Sequence, residues 1–201
     1  TELIFDGVKV MTGVSNNYLV QPNAATTKFL TTTGKLTFRN CWVEGYRAVL
    51  YSTLATTLAE LNYVGNYFKN IAASGIISVS AGTLNKVTIR NNTFNNVGGD
   101  ASAATGTDYF VDFRSTNSVT SQINFSNNTI YYPRTQGRGL FRTSANFTTG
   151  YLKENNNLYA TGNSTGYTIQ LLYNNLTAGT STDADSTNYY SNKLTMGTNK
   201  G

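Results

Sequence analysis

The chain has no histidine, a single cysteine and only ten acidic residues in 201. The missing histidine removes Ser-His-Asp and Cys-His nucleophile arrangements, histidine general bases and histidine-ligated metals together. Cys41, being alone, cannot form an internal disulfide, and its place in the pattern described below is that of a buried small apolar residue. Charged residues make up 12% of the chain, with 15 Lys and Arg giving a net charge of +5. The surplus is spread along the sequence rather than clustered, so no nucleic-acid-binding face is expected. No apolar run is long enough to span a membrane, and no segment carries a convincing helical stripe, Leu54 to Leu61 being a short ambiguous stretch.

What is present is a short repeat: apolar, any, apolar, any, two small polar residues, any, apolar. It reads Leu36-x-Phe38-x-Asn40-Cys41-x-Val43, Leu61-x-Tyr63-x-Gly65-Asn66-x-Phe68 and Val87-x-Ile89-x-Asn91-Asn92-x-Phe94. It returns at Ile123-x-Phe125-x-Asn127-Asn128-x-Ile130, then more loosely from Tyr151 (Asn155, Asn156, Leu158) and from Thr187 (Tyr189, Ser191, Asn192, Leu194). Leu3-x-Phe5-x-Gly7-Val8-x-Val10 is a weak first copy, and the starts are 25 to 36 residues apart. That period, with alternating apolar residues and no helical spacing, predicts an all-β, right-handed parallel β-helix of about seven coils. The alternate apolar residues face one side of a strand. The Asn pair turns the chain, because Asn tolerates the left-handed backbone region.

Stacked coils then place Phe38, Tyr63, Ile89 and Phe125 in one interior column. The same stacking makes Asn66, Asn92, Asn128, Asn156 and Asn192 a ladder of side-chain amides, with Cys41 and Val8 in its column. Second strands are expected once per coil at 48–51, 75–79, 108–113, 139–141 and 167–172. A single domain over 1–201 is expected. The chain opens on a strand pattern and neither end shows a capping helix, so it is expected to be a piece of a longer protein or a mature form without its leader.

Carboxylate pairs are few. Asp108 and Asp112 fall on one face of a strand with Arg114, about 13 Å apart if extended, beyond the roughly 5–9.5 Å of glycosidase pairs. Arg138 and Arg142 recur four apart one coil later, so in-register stacking would give an Asp–Arg charge ladder. With Tyr132 and Arg134 these residues (Tyr132, Arg134, Arg138, Arg142, Asp108, Asp112 and Arg114) are the candidate ligand-binding set. Asp183 and Asp185 sit in a polar loop with a weak Ca²⁺-binding alternative. The Asn-x-Thr/Ser sequences at Asn91 and Asn127 follow from the turn ladder itself. Trp42 is placed to face outward or cover a neighbouring coil. No catalytic residue, metal or cofactor is assigned.

Val87-Thr-Ile-Arg-Asn-Asn-Thr-Phe-Asn-Asn-Val-Gly-Gly, followed by a loop and a second strand, resembles the repeat of pectate-lyase-like β-helices. With Asn-Cys-Trp-Val-Glu-Gly-Tyr-Arg near residue 40 and Gly-Arg-Gly-Leu-Phe-Arg near 140, the layout resembles uncharacterised secreted or lipid-anchored β-helix proteins of gut Bacteroidetes. The likeness covers residues 3 to 195 and implies a fold more than an activity. Lyases of this kind hold Ca²⁺ with several acidic side chains beside an Arg or Lys base, and no such cluster matches here. The expectation is therefore a monomeric, extracellular or surface-attached β-helix that contacts a polysaccharide or other glycan without catalysis. The alternatives are a polysaccharide lyase or hydrolase, and a structural spacer or adhesin stalk.

Overall fold

A computed structural model describes residues 1–13, 17–22, 32–54, 56–71, 75–98, 110–113, 118–131, 139–143, 151–160, 167–173, 189–190 and 194–196. The chain passes round three walls in order. It begins with β1 (Glu2–Asp6), β2 (Lys9–Met11) and β3 (Tyr18–Val20), then β4 (Lys35–Arg39), β5 (Trp42–Glu44) and β6 (Ala48–Ser52). It continues with β7 (Thr56–Val64), β8 (Tyr67–Lys69) and β9 (Ile77–Val79), then β10 (Gly82–Arg90), β11 (Thr93–Asn95) and β12 (Val111–Phe113). Next come β13 (Ser118–Ser126), β14 (Thr129–Tyr131) and β15 (Gly139–Thr143), and β16 (Tyr151–Asn155), β17 (Leu158–Ala160) and β18 (Tyr167–Tyr173). The last strands are β19 (Tyr189–Tyr190) and β20 (Leu194–Met196). No helix occurs among the described residues, and Leu54 to Leu61 belongs largely to β7.

Every pairing is parallel. The walls are sheets ordered β1-β4-β7-β10-β13-β16, β2-β5-β8-β11-β14-β17-β19 and β3-β6-β9-β12-β15-β18-β20. The molecule is thus a β-solenoid with three sheets, because the residues after the Asn turn form a wall of their own. Seven coils are not reached: the solenoid is about four turns.

Phe38, Tyr63, Ile89 and Phe125 are register partners in one column, each 0–1% exposed. Beside them run Leu36, Leu61, Val87 and Ile123, all buried. Each such side chain contributes about 1.5–3 kcal/mol by leaving water. Aromatic contacts link the walls across the core: Phe94 lies 4.6 Å from Phe110, and Phe125 lies 5.2 Å from Phe141, both edge to face. Burial pushes the Tyr63 hydroxyl far above its ordinary pKa, and this hydroxyl donates to the Ile76 carbonyl at 3.4 Å.

The first corner is set by one residue per coil in the left-handed region: Gly7, Asn40, Gly65, Asn91, Asn127 and Asn156, with φ of 54–68°. The residue after it is the ladder. The backbone N–H groups of Cys41, Asn66, Asn92 and Asn128 donate to Oδ1 of Asn66, Asn92, Asn128 and Asn157, at 2.9–3.0 Å. In return, Nδ2 of Asn66, Asn92, Asn128 and Asn157 donates to the carbonyls of Phe38, Tyr63, Ile89 and Phe125, at 2.9–3.0 Å. These amides are 0–2% exposed, so each interior corner is fully paired. A second corner repeats the device with Gly45, Asn70 and Asn96 at positive φ. At Gly45 a Cβ would lie 2.1 Å from the Thr12 carbonyl oxygen, so only glycine fits.

Two copies of the repeat sit differently from their expected frame. The copy expected from Tyr151 begins at Leu152, the register partner of Ile123. Asn157, not Asn156, is therefore the ladder residue, Tyr159 is buried, and Leu158 is 45% exposed. The frame is hidden because its second interior position is Glu154, which pairs with Phe125 and is fully buried. A period-2 strand slipped by one residue reverses every face, so a carboxylate at an inward position diverts the pattern. The copy expected from Thr187 is shifted by a wall: Tyr189 and Tyr190 pair with Leu158 and Tyr159, and Leu194–Met196 pairs with β18. Asn192 lies outside the described residues.

Candidate functional site

The positions marked "any" in the repeat become the outer face of the first wall. Three columns run along it, set by register. One is Glu2, Lys35, Glu60, Lys86 and Gln122; the next is Ile4, Thr37, Asn62, Thr88, Asn124 and Lys153; the third is Asp6, Arg39, Val64, Arg90, Ser126 and Asn155. Over β4 to β13 they line an open trough of about 610 Å³, bounded by Thr37, Arg39, Asn62, Val64, Lys86, Thr88, Arg90 and Asn124. Three cations, two hydroxyls and two amides meet there, with no carboxylate in the lining.

The two ends of this face differ. Towards β1 the polar groups satisfy one another. Arg39 Nη2 sits 2.8 Å from Asp6 Oδ2, and Asn40 Nδ2 donates to Asp6 Oδ1 at 3.2 Å. Thr37 Oγ1 donates to Glu2 Oε1 at 3.1 Å and accepts from Asn62 Nδ2 at 3.3 Å. Lys35 Nζ lies 3.0 Å from Glu60 Oε1. The Arg39 hydrogen bond holds the Asp6 carboxyl below its ordinary value, and the Lys35 hydrogen bond does the same for Glu60, with Lys86 adding its charge. Towards β13, Lys86, Thr88, Arg90 and Asn124 make no such bonds to described residues. Asn124 Oδ1 is buried without a partner there.

The second wall carries an aromatic strip. Trp42 faces outward at 38% exposure, edge-on to Tyr67 at 4.8 Å, with the Lys9 ammonium 4.6 Å above its ring. Trp42 Nε1 donates to Glu44 Oε2 at 3.0 Å, and Lys69 pairs with the same carboxylate through Oε1 at 3.0 Å. Tyr131 and Leu158 lie further along, 44% and 45% exposed. The rings nearest β2 are thus already engaged by cations and hydrogen bonds.

On the third wall, Asp112 on β12 is the register partner of both Ser78 and Arg142, so the expected Asp–Arg stacking exists in the backbone. Asp112 is fully buried. Asp108, Arg114, Tyr132, Arg134 and Arg138 lie outside the described residues, as do Asp183 and Asp185, so of the candidate set only Asp112 and Arg142 are brought to adjacent positions. Sequence reasoning passed over the trough because its members alternate with the apolar residues that attract attention. Their signal is a side-chain type recurring at equal offsets, such as Arg39 and Arg90, or Thr37 and Thr88.

Cys41 is buried and free. Among the described residues no three His, Cys, Asp or Glu side chains gather as a metal site, and no helix is long and apolar enough to cross a membrane. Comparison with protein-family models, with curated proteins and with solved structures gives no match.

Proposed function

We propose that this chain is an extracellular or surface-attached β-helix that holds a glycan on its side wall without cutting it. The observation that carries this reading is the trough on the first wall: hydroxyl, amide and cationic groups line it over several coils, and no carboxylate does. Sugars offer many hydroxyls and ring oxygens, which such donors and acceptors match. A ligand lying along the axis meets an equivalent rung about every 4.8 Å, a repeat that suits a polymer better than a compact small molecule. Glycoside hydrolysis uses a pair of carboxyl groups at the reacting bond, and the lining supplies no carboxylate for it. We take the solenoid as right-handed, the hand that parallel crossovers adopt in nearly every case. The likeness of the Val87–Gly99 segment to pectate-lyase-like repeats supports the same setting. A spacer would need no open trough.

The test is a panel of polysaccharides immobilised for retention and, in parallel, assayed for release of reducing or unsaturated ends. Retention without release is expected. Release of oligosaccharides would establish a lyase or hydrolase instead, and neither retention nor release would leave a spacer.

A further inference from the structure

One interior column changes character at its far end. Phe38, Tyr63, Ile89 and Phe125 follow one another in register, and the next position is Glu154. Glu154 is fully buried, and so are Asn157 and Tyr159, which donate to it. Among the described residues the other fully buried carboxyl group is Asp112. Asp112 stands in register with Ser78 and Arg142, whereas Glu154 stands in a column of rings and aliphatic groups. Of the described elements packed against Glu154, β13 presents Ile123 and Phe125, and β17 presents Tyr159, the titratable side chain that faces it there. Lys153, its neighbour on β16, is exposed on the opposite face.

Burial disfavours the charged form of a carboxyl group, and the bonding here fits the neutral one. The Tyr159 hydroxyl and Asn157 Nδ2 meet the same oxygen, Oε1. A neutral carboxyl accepts both on its carbonyl oxygen and keeps its proton on the other. Asn157 Nδ2 also donates to the Phe125 carbonyl at 3.0 Å, and Asn157 Oδ1 receives both donors of Asn128 at 2.9 and 3.0 Å. The carboxyl group is therefore tied to a rung of the amide ladder. The chain has no histidine, so between about pH 5 and 8 no side chain with an ordinary titration range changes charge. Asp6, Glu44 and Glu60 are held lower still by their hydrogen bonds to Arg39, Lys69 and Lys35.

We propose that Glu154 makes the coil of β16 and β17 an acid-closed clasp. With the carboxyl neutral the coil packs shut around it. As pH rises the group gives its proton to solvent, the carboxylate draws water into the core, and the Asn157 rung lets go. A carboxyl group that ionises later in the fold than in the unfolded chain stabilises the fold fully below the unfolded value, about 4.3 for Glu. That contribution is lost as pH rises through the folded value. Opening reaches β16, β17 and β19, which pairs with β17, and leaves the rungs from Cys41 to Asn92 in place. The device lies apart from the trough and needs no glycan.

The experiment is amide hydrogen exchange of the whole chain from pH 5 to 8, corrected for the intrinsic pH dependence of exchange. The opening constant of residues 151–160 is expected to rise with pH by up to about tenfold per unit, the limit for loss of one proton. Residues 84–95 on β10 and β11 should show no such rise. Glu154→Gln keeps an acceptor oxygen without a titrating proton, so it should hold 151–160 shut across the range. Asp112→Asn should leave the rise as it is in the wild type. An opening constant that does not change with pH in the wild type overturns the proposal. So does a rise that persists in Glu154→Gln, or one abolished by Asp112→Asn. Should Glu154→Gln fail to fold, Glu154→Leu with Tyr159→Phe takes its place, with the same flat profile expected. Carboxyl carbon-13 resonances of the wild type give an independent reading. Titration of Glu154 above about 4.3 supports the clasp, and titration at or below that value overturns it.

Discussion

Asn128 Oδ1 accepts two hydrogen bonds from Asn92, one from its backbone N–H at 3.0 Å and one from Nδ2 at 3.1 Å. One side-chain oxygen thus satisfies both donors of the residue above it, and the arrangement repeats from Asn66 to Asn157. Neither amide sees water, so any truncation strands groups that have no other partner.

Asn92→Ala is expected to cost about 1–3 kcal/mol, the usual penalty for orphaning a buried partner. The Tyr63 carbonyl loses its donor and the Asn66 N–H loses its acceptor. Chemical denaturation with the wild type alongside measures this, and an unchanged midpoint would remove the ladder from the stability of the fold.

Cys41 ends the ladder at its β1 side. Its Sγ lies 3.3 Å from the Phe5 carbonyl oxygen, the position that an Asn Nδ2 takes in every later coil. A thiol is a weak donor and has no amide oxygen. Cys41→Asn should therefore add a stronger bond to Phe5 and offer an acceptor towards the Val8 N–H, raising stability by about 0.5–1.5 kcal/mol. Cys41→Ala should lower it. A Cys41→Asn variant less stable than Cys41→Ala would show that the column is too narrow there for an amide.

Glu154 occupies an interior column otherwise filled by Phe38, Tyr63, Ile89 and Phe125, and it accepts hydrogen bonds from the Tyr159 hydroxyl and Asn157 Nδ2. Removing one member of such a pair leaves a buried polar group, whereas replacing both by apolar groups does not. Tyr159→Phe alone should cost about 1–3 kcal/mol. Glu154→Leu combined with Tyr159→Phe should recover most of that loss. A double variant no more stable than Tyr159→Phe would mean that the carboxylate is held by other contacts.

The outward carboxylates predict the response to acid. Asp6, Glu44 and Glu60 are each held below their ordinary values of 3.8, 4.5 and 4.5, chiefly by hydrogen bonds from Arg39, Lys69 and Lys35. A depressed folded-state pKa stabilises the fold above the unfolded value, and that contribution is lost as pH falls through the folded one. Stability should therefore decline as pH drops below about 4.5. A Lys35→Met, Lys69→Met double variant should start lower at neutral pH and fall less steeply, as read from unfolding midpoints across the acid range. An identical slope would assign the acid loss to other groups.

Much of the fold is legible in the residue order because each coil obeys two local rules: alternation sets the face, and Asn or Gly sets the corner. The interior column from Phe38 to Phe125 and the ladder from Cys41 to Asn128 follow from those rules. The second corner at Asn70 and Asn96 obeys the same backbone rule, with buried Phe68 and Ile71 on either side of one and Phe94 and Val97 on either side of the other. Glu154 defeats alternation, because the bonds from Asn157 and Tyr159 that make its burial tolerable come from three and five residues later and appear only once the chain has turned the corner. For the site, the legible part was the Asp112–Arg142 pairing. The burial of Asp112 was not legible, since a carboxylate on a strand reads as a solvent-facing position.

The sequence by itself determined that this chain coils in parallel and where it turns, because strand alternation and positive-φ corners depend on adjacent residues only. Tertiary structure decided the rest. It chose the frame of the coil at Leu152, placed Tyr189 on the second wall, and collected Thr37, Asn62, Thr88 and Asn124 from four coils into one column. It also decided which of those polar groups find partners: Arg39 meets Asp6 on the next strand, while Arg90 has Val64 on one side and Ser126 on the other. Such neighbours lie 25 to 36 residues apart in the chain. Their charge balance exists only after strand stacking has brought them about 4.8 Å apart.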